Sequence, residues 1–378
     1  MATVGIDYSA AHEQGAGIGR YVRELIRALA ALDRATPYRL FVAGARRGAL
    51  PPPPGANFTW RSTRITPLWF ARLWHRLRLP LPVEAFTGQV RLFHATDFTL
   101  PPTLPGTRTL LTVHDLSFVR APETATPVLK AYLDVVVPRS VRRATHVLAD
   151  SQATKDDLIE LYGTPADKVT VLLGGVNAEF RPVAAAEVRR AARARYGLPP
   201  NPYIFAVGTV QPRKNYARLI EALAALGPQY ADYHLVIAGG RGWLDAPIYQ
   251  TVRDLGMDER VHFTGFARDE DLPALYSEAV CLAYPSLYEG MGLPVLEAMA
   301  CGTPVVTSTV SSLPEVAGDA ALLVDPYDVP ALAEALCRLL DDSALRQTLT
   351  ARGTRQAASF TWERAAAQLL AIYRQMVQ

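Results

Sequence analysis

The stretch VCLAYPSLYEGMGLPVLEAMACGTPVVT, residues 280–307, contains a strand, a turn, a helix and a second strand in immediate succession. Val280–Tyr284 is a continuous apolar run, as a strand covered on both faces requires. Pro285–Tyr288 reads as a turn. Pro294 suits a first helical turn, where its missing N–H costs nothing. Gly302 fits just past the helix end, and Pro304 opens the next strand. This is a βαβ unit, and it predicts a parallel sheet covered by helices.

The pattern extends in both directions. Upstream, strand candidates are Thr3–Asp7, Arg39–Ala43, Leu92–His94, Thr109–His114, His146–Ala149 and Val169–Leu172. In the second half they are Tyr203–Val207, His234–Ala238, Val261–Phe263, Val280–Tyr284, Pro304–Thr307 and Ala321–Val324. Amphipathic helical stretches separate them, so the chain is α/β. Arg181-Pro182-Val183 looks like an exit from one domain, which predicts domains over 1–182 and 183–360. The tail predicts a helix over 361–378, with Trp362, Ala366, Leu369, Leu370 and Tyr373 on one face, crossing back to the first domain.

The chain has 378 residues, enough for two domains at ~100–200 residues each. Hydrophobic residues make up 49% and charged residues 20%, which excludes a disordered or fibrous chain. A formal net charge of +3 is too small to suggest a nucleic-acid groove, so no nucleic-acid partner is expected. Cys281, Cys301 and Cys337 form no CxxC pair and sit in apolar runs, so neither a disulfide framework nor a zinc cluster is expected, and a reducing cytoplasm fits. Asp7, His12 and Glu13 interrupt any leader-like apolar stretch. No apolar run reaches the ~18 residues of a membrane span.

In open parallel sheets ligands bind beyond the carboxyl ends of the strands, and the informative residues sit there. Glu289 falls in the loop before the helix and Glu297 about one turn into it. Gly290 and Gly292 leave N–H groups uncovered beside a helix N-terminus, a place that favours anions. Two carboxylates flanking it can accept hydrogen bonds from sugar hydroxyls. A loop glutamate plus a solvated helix glutamate is the plainer alternative. Gly208-Thr209-Val210-Gln211-Pro212-Arg213-Lys214-Asn215 follows strand Tyr203–Val207, and Arg213 and Lys214 there suit a diphosphate. In isolation a solvated basic turn would serve as well.

Gly15-Ala16-Gly17-Ile18-Gly19-Arg20 precedes a helix over Tyr21–Leu32, but lacks the third glycine position of the dinucleotide fingerprint. It reads either as a close approach to a phosphate or sugar or as a flexible turn. His114 and His94 each end a buried-type strand, where a ring can point into a cleft or satisfy a backbone group. Asp269-Glu270-Asp271 reads as a helix start rather than a metal site. No other cluster has metal-ligand spacing, so no metal is expected. Residues 68–79 place Trp69, Phe70, Leu73, Trp74 and Leu77 on one helical face and Arg72, His75, Arg76 and Arg78 on the other. Such a helix either lies on an anionic membrane surface or packs on the first-domain core.

Taken together, these residues resemble the retaining glycosyltransferases of family 4, which have the GT-B fold: two Rossmann-like domains whose parallel sheets face a central cleft. The resemblance spans the whole chain and is most specific from Tyr284 through Glu297 to Val306, an E-x7-E segment. Gly17–Arg20, Thr112–Asp115, Ala149–Ser151, Arg213–Asn215 and Phe263–Gly265 also match. His114–Phe118, Gly208-Thr209 and Pro212–Asn215 are most similar to the mannosyltransferase-like branch that builds bacterial surface polysaccharides.

By that resemblance the first domain takes the acceptor and the second the nucleotide-sugar. Glu289 would hold hydroxyls of the donor hexose and Glu297 the nucleotide ribose. Lys214 and Arg213 would grip the diphosphate beside Gly208 and Thr209, with Gly290, Met291, Gly292 and Leu293 at the helix start. Gly17 and Gly19 would lie against the donor phosphate, His114 would face the sugar, and the backbone around Phe266 would hold the base. Many relatives carry Arg where this chain has Thr209, and Arg213 would supply that charge. The implied reaction retains anomeric configuration, with the leaving phosphate accepting the acceptor's proton. The implied donor is GDP-mannose as substrate, with UDP-glucose or another UDP-hexose behind it and no separate cofactor. The implied acceptor is a glycan, either soluble or lipid-linked, and a lipid-linked oligosaccharide at the inner membrane face would fit residues 68–79. An epimerase, a phosphorylase and a sugar-nucleotide sensor are the competing readings.

Overall fold

A computed structural model of the chain describes residues 2–15, 17–46 and 48–378. Ala16 of the glycine run therefore lies outside the described residues. The chain forms two compact units, Met1–Leu116, Ala131–Gly175 and Thr361–Gln378 in the first, Ser117–Lys130 and Val176–Phe360 in the second.

The first unit holds a seven-stranded sheet, β1 (Val4–Asp7), β2 (Tyr38–Ala43), β3 (Phe58–Thr63), β4 (Leu92–Ala95), β5 (Arg108–Val113), β6 (His146–Ala149) and β7 (Val169–Val171). Its order is β3-β2-β1-β4-β5-β6-β7, parallel throughout. The second unit holds β8 (Tyr203–Val207), β9 (His234–Ala238), β10 (Val261–Gly265), β11 (Cys281–Tyr284), β12 (Val305–Ser308) and β13 (Ala321–Val324). Their order is β10-β9-β8-β11-β12-β13, again parallel. In each sheet the chain winds outward from one central strand and then from its neighbour on the other side. The reversal falls between β1 and β4 in the first sheet and between β8 and β11 in the second. Loops leaving such a pair diverge to opposite faces and open a crevice at their carboxyl ends.

Every expected strand is present, with ends shifted by a residue or two. β3 is an addition. Only Phe58 is buried along it, because it is an edge strand with a largely polar exposed pattern. The helix Trp362–Val377 packs on Ile18–Leu32 in the first unit, burying Trp362, Ala366, Leu369, Leu370 and Tyr373 against Val22, Leu25, Ile26 and Leu29. The division between units falls after Gly175 rather than at 182, and Ser117–Lys130 groups with the second unit. The turn Pro122–Thr124 lies beside Pro212–Lys214, and the Trp243 indole N–H donates to the Thr124 carbonyl at 2.7 Å.

Residues 68–79 do not form one amphipathic helix. A single α-turn, Pro67–Phe70, gives way to a π-helix over Ala71–Arg76, closed by a Leu77 N–H to Arg72 carbonyl bond of 2.8 Å. The wider π turn breaks the 3.6-residue period. Phe70 and Trp74 stack at 4.1 Å and pack against Phe41 and Phe86. Leu68, Trp69, Leu77, Leu79 and Leu81 are left exposed.

Candidate active site

The site in the second unit is built from the two loops that leave β8 and β11, the strands flanking the sheet's reversal point. After β8 the chain passes through Gly208 at φ +134, a conformation L side chains rarely adopt. A Cβ there would lie 2.8 Å from Lys214 Cε, so the bare glycine makes the slot in which the lysine stem runs. Pro212–Lys214 forms a short 3-10 turn, and Asn215, at φ +60, starts the helix Tyr216–Ala224. The buried Asn215 amide tolerates that backbone by donating to the Pro285 and Pro326 carbonyls at 3.0 and 2.7 Å. This turn points Arg213 and Lys214 at the second loop.

In that second loop, Leu287 N–H donates to the Arg213 carbonyl at 2.9 Å, and Arg213 Nη1 donates to the Tyr288 carbonyl at 2.7 Å. Glu289 is buried between the two cations: Oε1 accepts from Lys214 Nζ and Oε2 from Arg213 Nη1, both at 2.7 Å. Burial alone would raise the Glu289 carboxyl, but the Arg213 and Lys214 charges and hydrogen bonds outweigh it and hold the group at about 2. Lys214 also donates to the Tyr284 hydroxyl and lies 4.7 Å from that ring's centroid. Gly292, at φ +85, caps the helix Leu293–Ala300, and a Cβ there would come within 2.8 Å of Leu313 Cδ2. Glu297 in this helix is buried and accepts from the Tyr276 hydroxyl at 2.9 Å.

The structure thus brings Gly208, Arg213, Lys214 and Glu289 together as one charged unit. Gly290 and Met291 are buried in the connection to Gly292, and Leu293 opens the helix. Thr209 is exposed beside Gly208, with Gly242 packed so closely that a Cβ on it would meet Thr209 Cγ2 at 2.7 Å. Phe266 follows Gly265, whose φ is +69, at the end of β10, with its ring exposed. Asp271 starts the helix Leu272–Glu278 and is tied to Arg195 at 2.6 Å and to the Tyr196 hydroxyl at 2.7 Å.

The remaining sequence candidates sit in the first unit. Gly17, at φ +58, begins the helix Ile18–Leu32 with open space where its Cβ would be. Gly19 is tight instead: a Cβ would meet the Gln14 carbonyl at 2.2 Å, so this glycine lets the helix pack on its own approach loop. His114 is buried with both ring nitrogens engaged. Nδ1 lies 2.7 Å from Asp150 Oδ2 and Nε2 lies 2.8 Å from the Thr96 carbonyl. Both partners accept, so the ring is doubly protonated. Burial favours the neutral ring, but Asp150 and Asp97 overcome it and raise the group to about 9. His94 is the opposite case: bonded to the Tyr373 and Thr112 hydroxyls, it is pushed by burial to about 3 and stays neutral.

The sequence reading missed the side chains that hold the β11 loop from behind. Thr307 Oγ1 donates to the Tyr284 carbonyl, Ser308 Oγ to the Ser286 carbonyl and Ser312 Oγ to the Glu289 carbonyl, at 2.8, 2.8 and 2.9 Å. Ser311 Oγ accepts the Glu289 N–H at 2.9 Å. The available signal was the run Thr307-Ser308-Thr309 directly behind a buried apolar strand, where hydroxyls need partners.

Two parallel, doubly wound sheets with ligand-type loops at the carboxyl ends of β8 and β11 give the two-Rossmann architecture of the GT-B fold class. Residues 15–180 match the model for Glycosyltransferase Family 4, and residues 188–356 match that for Glycosyl transferases group 1. The chain is 34% identical over 372 residues to O-antigen chain mannosyltransferase B of Escherichia coli, covering 95% of this chain and 96% of the relative. The chain belongs to glycosyltransferase family 4, on the mannosyltransferase-like side. Among solved structures it superposes on sucrose-phosphate synthase from Thermosynechococcus elongatus with a TM-score of 0.79, at 25% identity and 100% and 99% coverage. It also superposes on Anabaena HepE in complex with UDP and glucose, with a TM-score of 0.76, 18% identity and 99% and 100% coverage.

Proposed function

We propose that this glycosyltransferase is a retaining hexosyltransferase that moves mannose from GDP-mannose to a glycan or lipid-linked acceptor. The observation that carries the reading is the buried Glu289 held between Arg213 and Lys214 at the loops leaving β8 and β11. The triad has a net charge of +1, so it favours an incoming diphosphate while keeping a carboxylate in place for sugar hydroxyls. Arg213, Lys214 and the N–H groups at the start of Leu293–Ala300 take up the charge that develops on the leaving nucleoside diphosphate, and this stabilises an oxocarbenium-like transition state. The leaving phosphate accepts the acceptor's proton on the face it departs from. Glu297 binds the ribose and the backbone at Phe266 the base. His114, with both nitrogens engaged, acts by fixing the end of β5 and not as a proton carrier. The choice of mannose rests on similarity to the E. coli mannosyltransferase.

The same reading places the acceptor at a membrane surface. Leu68, Trp69, Leu77, Leu79 and Leu81 are exposed beside exposed Arg64, Arg72, Arg76 and Arg78, and the Arg72 guanidinium stacks 4.9 Å from the Trp69 ring. Apolar and cationic groups mixed on one segment suit an anionic lipid headgroup region. Among the described residues no helix is long and apolar enough to cross a membrane, so contact would be peripheral.

Thermal shift against GDP-, UDP- and ADP-sugars tests the donor, because a ligand bound only by the folded state raises the melting temperature. GDP-mannose should stabilise most, and a larger shift with a UDP-hexose would overturn the mannose assignment. Glu289→Ala and Lys214→Ala should each abolish release of nucleoside diphosphate while the protein stays folded. Full turnover in either variant would overturn the site, and sugar interconversion without an acceptor would identify an epimerase.

A further inference from the structure

We propose that Ser311 is a positioning residue for Glu289, and that its unfavourable backbone is kept for that purpose. This inference rests on the reading of Glu289 as the contact to the donor hexose. Ser311 has φ +54, in the left-handed region that glycine enters freely and serine rarely does. It lies in the turn between β12 and the helix Leu313–Ala317, where Leu313 N–H donates to the Val310 carbonyl at 3.3 Å and Val316 N–H to the Ser312 carbonyl at 3.0 Å. Glycine would form the same turn without strain. What glycine cannot supply is the hydroxyl, and Ser311 Oγ accepts the Glu289 N–H at 2.9 Å.

The neighbouring residue completes the arrangement. Ser312 Oγ donates to the Glu289 carbonyl at 2.9 Å, so two adjacent serines grip Glu289 through both polar groups of its backbone. Its side chain is held separately, by Arg213 and Lys214. Those cations are the groups that a diphosphate would engage, and they would then hold the carboxylate and the phosphates together. The serine grip does not depend on them. It keeps the Glu289 backbone in register when the cations also engage the phosphates, which leaves the carboxylate aimed at the sugar. Strain retained at one residue beside a binding loop, with a specific bond in return, is the pattern expected of such a role.

The test uses the full-length protein with GDP-mannose and GDP, and in parallel UDP-glucose and UDP, by calorimetry. Ser311→Gly removes the hydroxyl and the strain, whereas Ser311→Ala removes the hydroxyl and keeps the strain. Both should weaken the sugar nucleotide about tenfold while leaving the nucleoside diphosphate within about twofold. The glycine variant should melt about 2–4 °C above the alanine variant. A merely structural serine would change stability and leave the ratio of the two affinities alone. The proposal is overturned if either variant keeps the wild-type ratio, or if the glycine variant melts no higher than the alanine one. Glu289→Ala separates the two levels. If it too leaves the ratio unchanged, the donor-site reading fails; if it changes the ratio and the Ser311 variants do not, only the positioning role fails.

Discussion

Replacing Glu289 by Gln keeps the shape of the side chain and removes its charge. The buried carboxyl sits at about 2 against an ordinary 4.5, a difference of about 2.5 units. At ~1.4 kcal/mol per unit this is about 3 kcal/mol of folding free energy at neutral pH. The group is too well buried for solvent screening to reduce that much, with 9% of its side chain exposed. Leaving the buried Lys214 and the half-buried Arg213 without their anion predicts a loss of the same size. The folded carboxyl titrates below its unfolded value, so its contribution is complete above the unfolded value of 4.5. It fades as pH falls from there towards about 2. Urea unfolding followed by circular dichroism, with the wild type and the variant compared at each pH, reads this. The gap between wild type and Glu289→Gln should be about 3 kcal/mol at pH 7 and about half that at pH 3, because every other carboxyl titrates alike in both proteins. A gap that is the same at both pH values, or absent at pH 7, would refute the charged triad.

Gly208→Ala should weaken GDP or UDP binding by about tenfold or more, since the new Cβ displaces the Lys214 stem from which it would be 2.8 Å away; calorimetry measures it. His114→Gln should destabilise the first unit by about 2–3 kcal/mol below pH 6.5, with the deficit closing as pH rises through about 9. The sign follows from a folded histidine that titrates above its unfolded value, and thermal melts from pH 6 to 10 check it. Trp69→Glu with Leu77→Glu should reduce sedimentation with phosphatidylserine vesicles at least several-fold and leave phosphatidylcholine vesicles unaffected, because the exposed apolar and arginine side chains act together.

The fold was legible because its strands are covered on both faces. Burial on both faces makes Leu282 and Ala283 in β11, or Val305 and Val306 in β12, uniformly apolar, and that signal survives without tertiary information. β3 was illegible for the complementary reason, as an edge strand shows water most of its surface. Residues 68–79 fit a 3.6-residue period in sequence, but the backbone takes a π turn there and only Phe70 and Trp74 are buried. In the site, Arg213, Lys214 and Glu289 could be picked out since loops after parallel strands converge by topology. Their mutual pairing could not, nor could the grip of Ser311 and Ser312, because these bonds join residues 22 to 76 positions apart. His114 stands out by its place at a strand end, but its charge state depends on Asp150, 36 residues away, and no local pattern reports that.

The triad also explains why two adjacent cations can be kept in a nearly dry place. Two like charges held by the two oxygens of one carboxylate repel by roughly a few kcal/mol at an effective dielectric near 20. A single carboxylate accepting from both removes most of that cost and holds Arg213 and Lys214 in one geometry. The side chains are therefore ordered before any anion arrives, and binding does not have to supply the ordering free energy. A neutral Glu289 would leave the cations mobile or displaced. A second carboxylate would cancel the positive charge that attracts the diphosphate. One acid between two bases is the arrangement that is both stable alone and still net positive. The Glu289→Gln variant should consequently lose affinity for the nucleoside diphosphate as well as for the sugar, even though its cations are nominally freed. A tighter nucleoside diphosphate complex in that variant would show that Glu289 competes with the ligand and does not prepare the site for it.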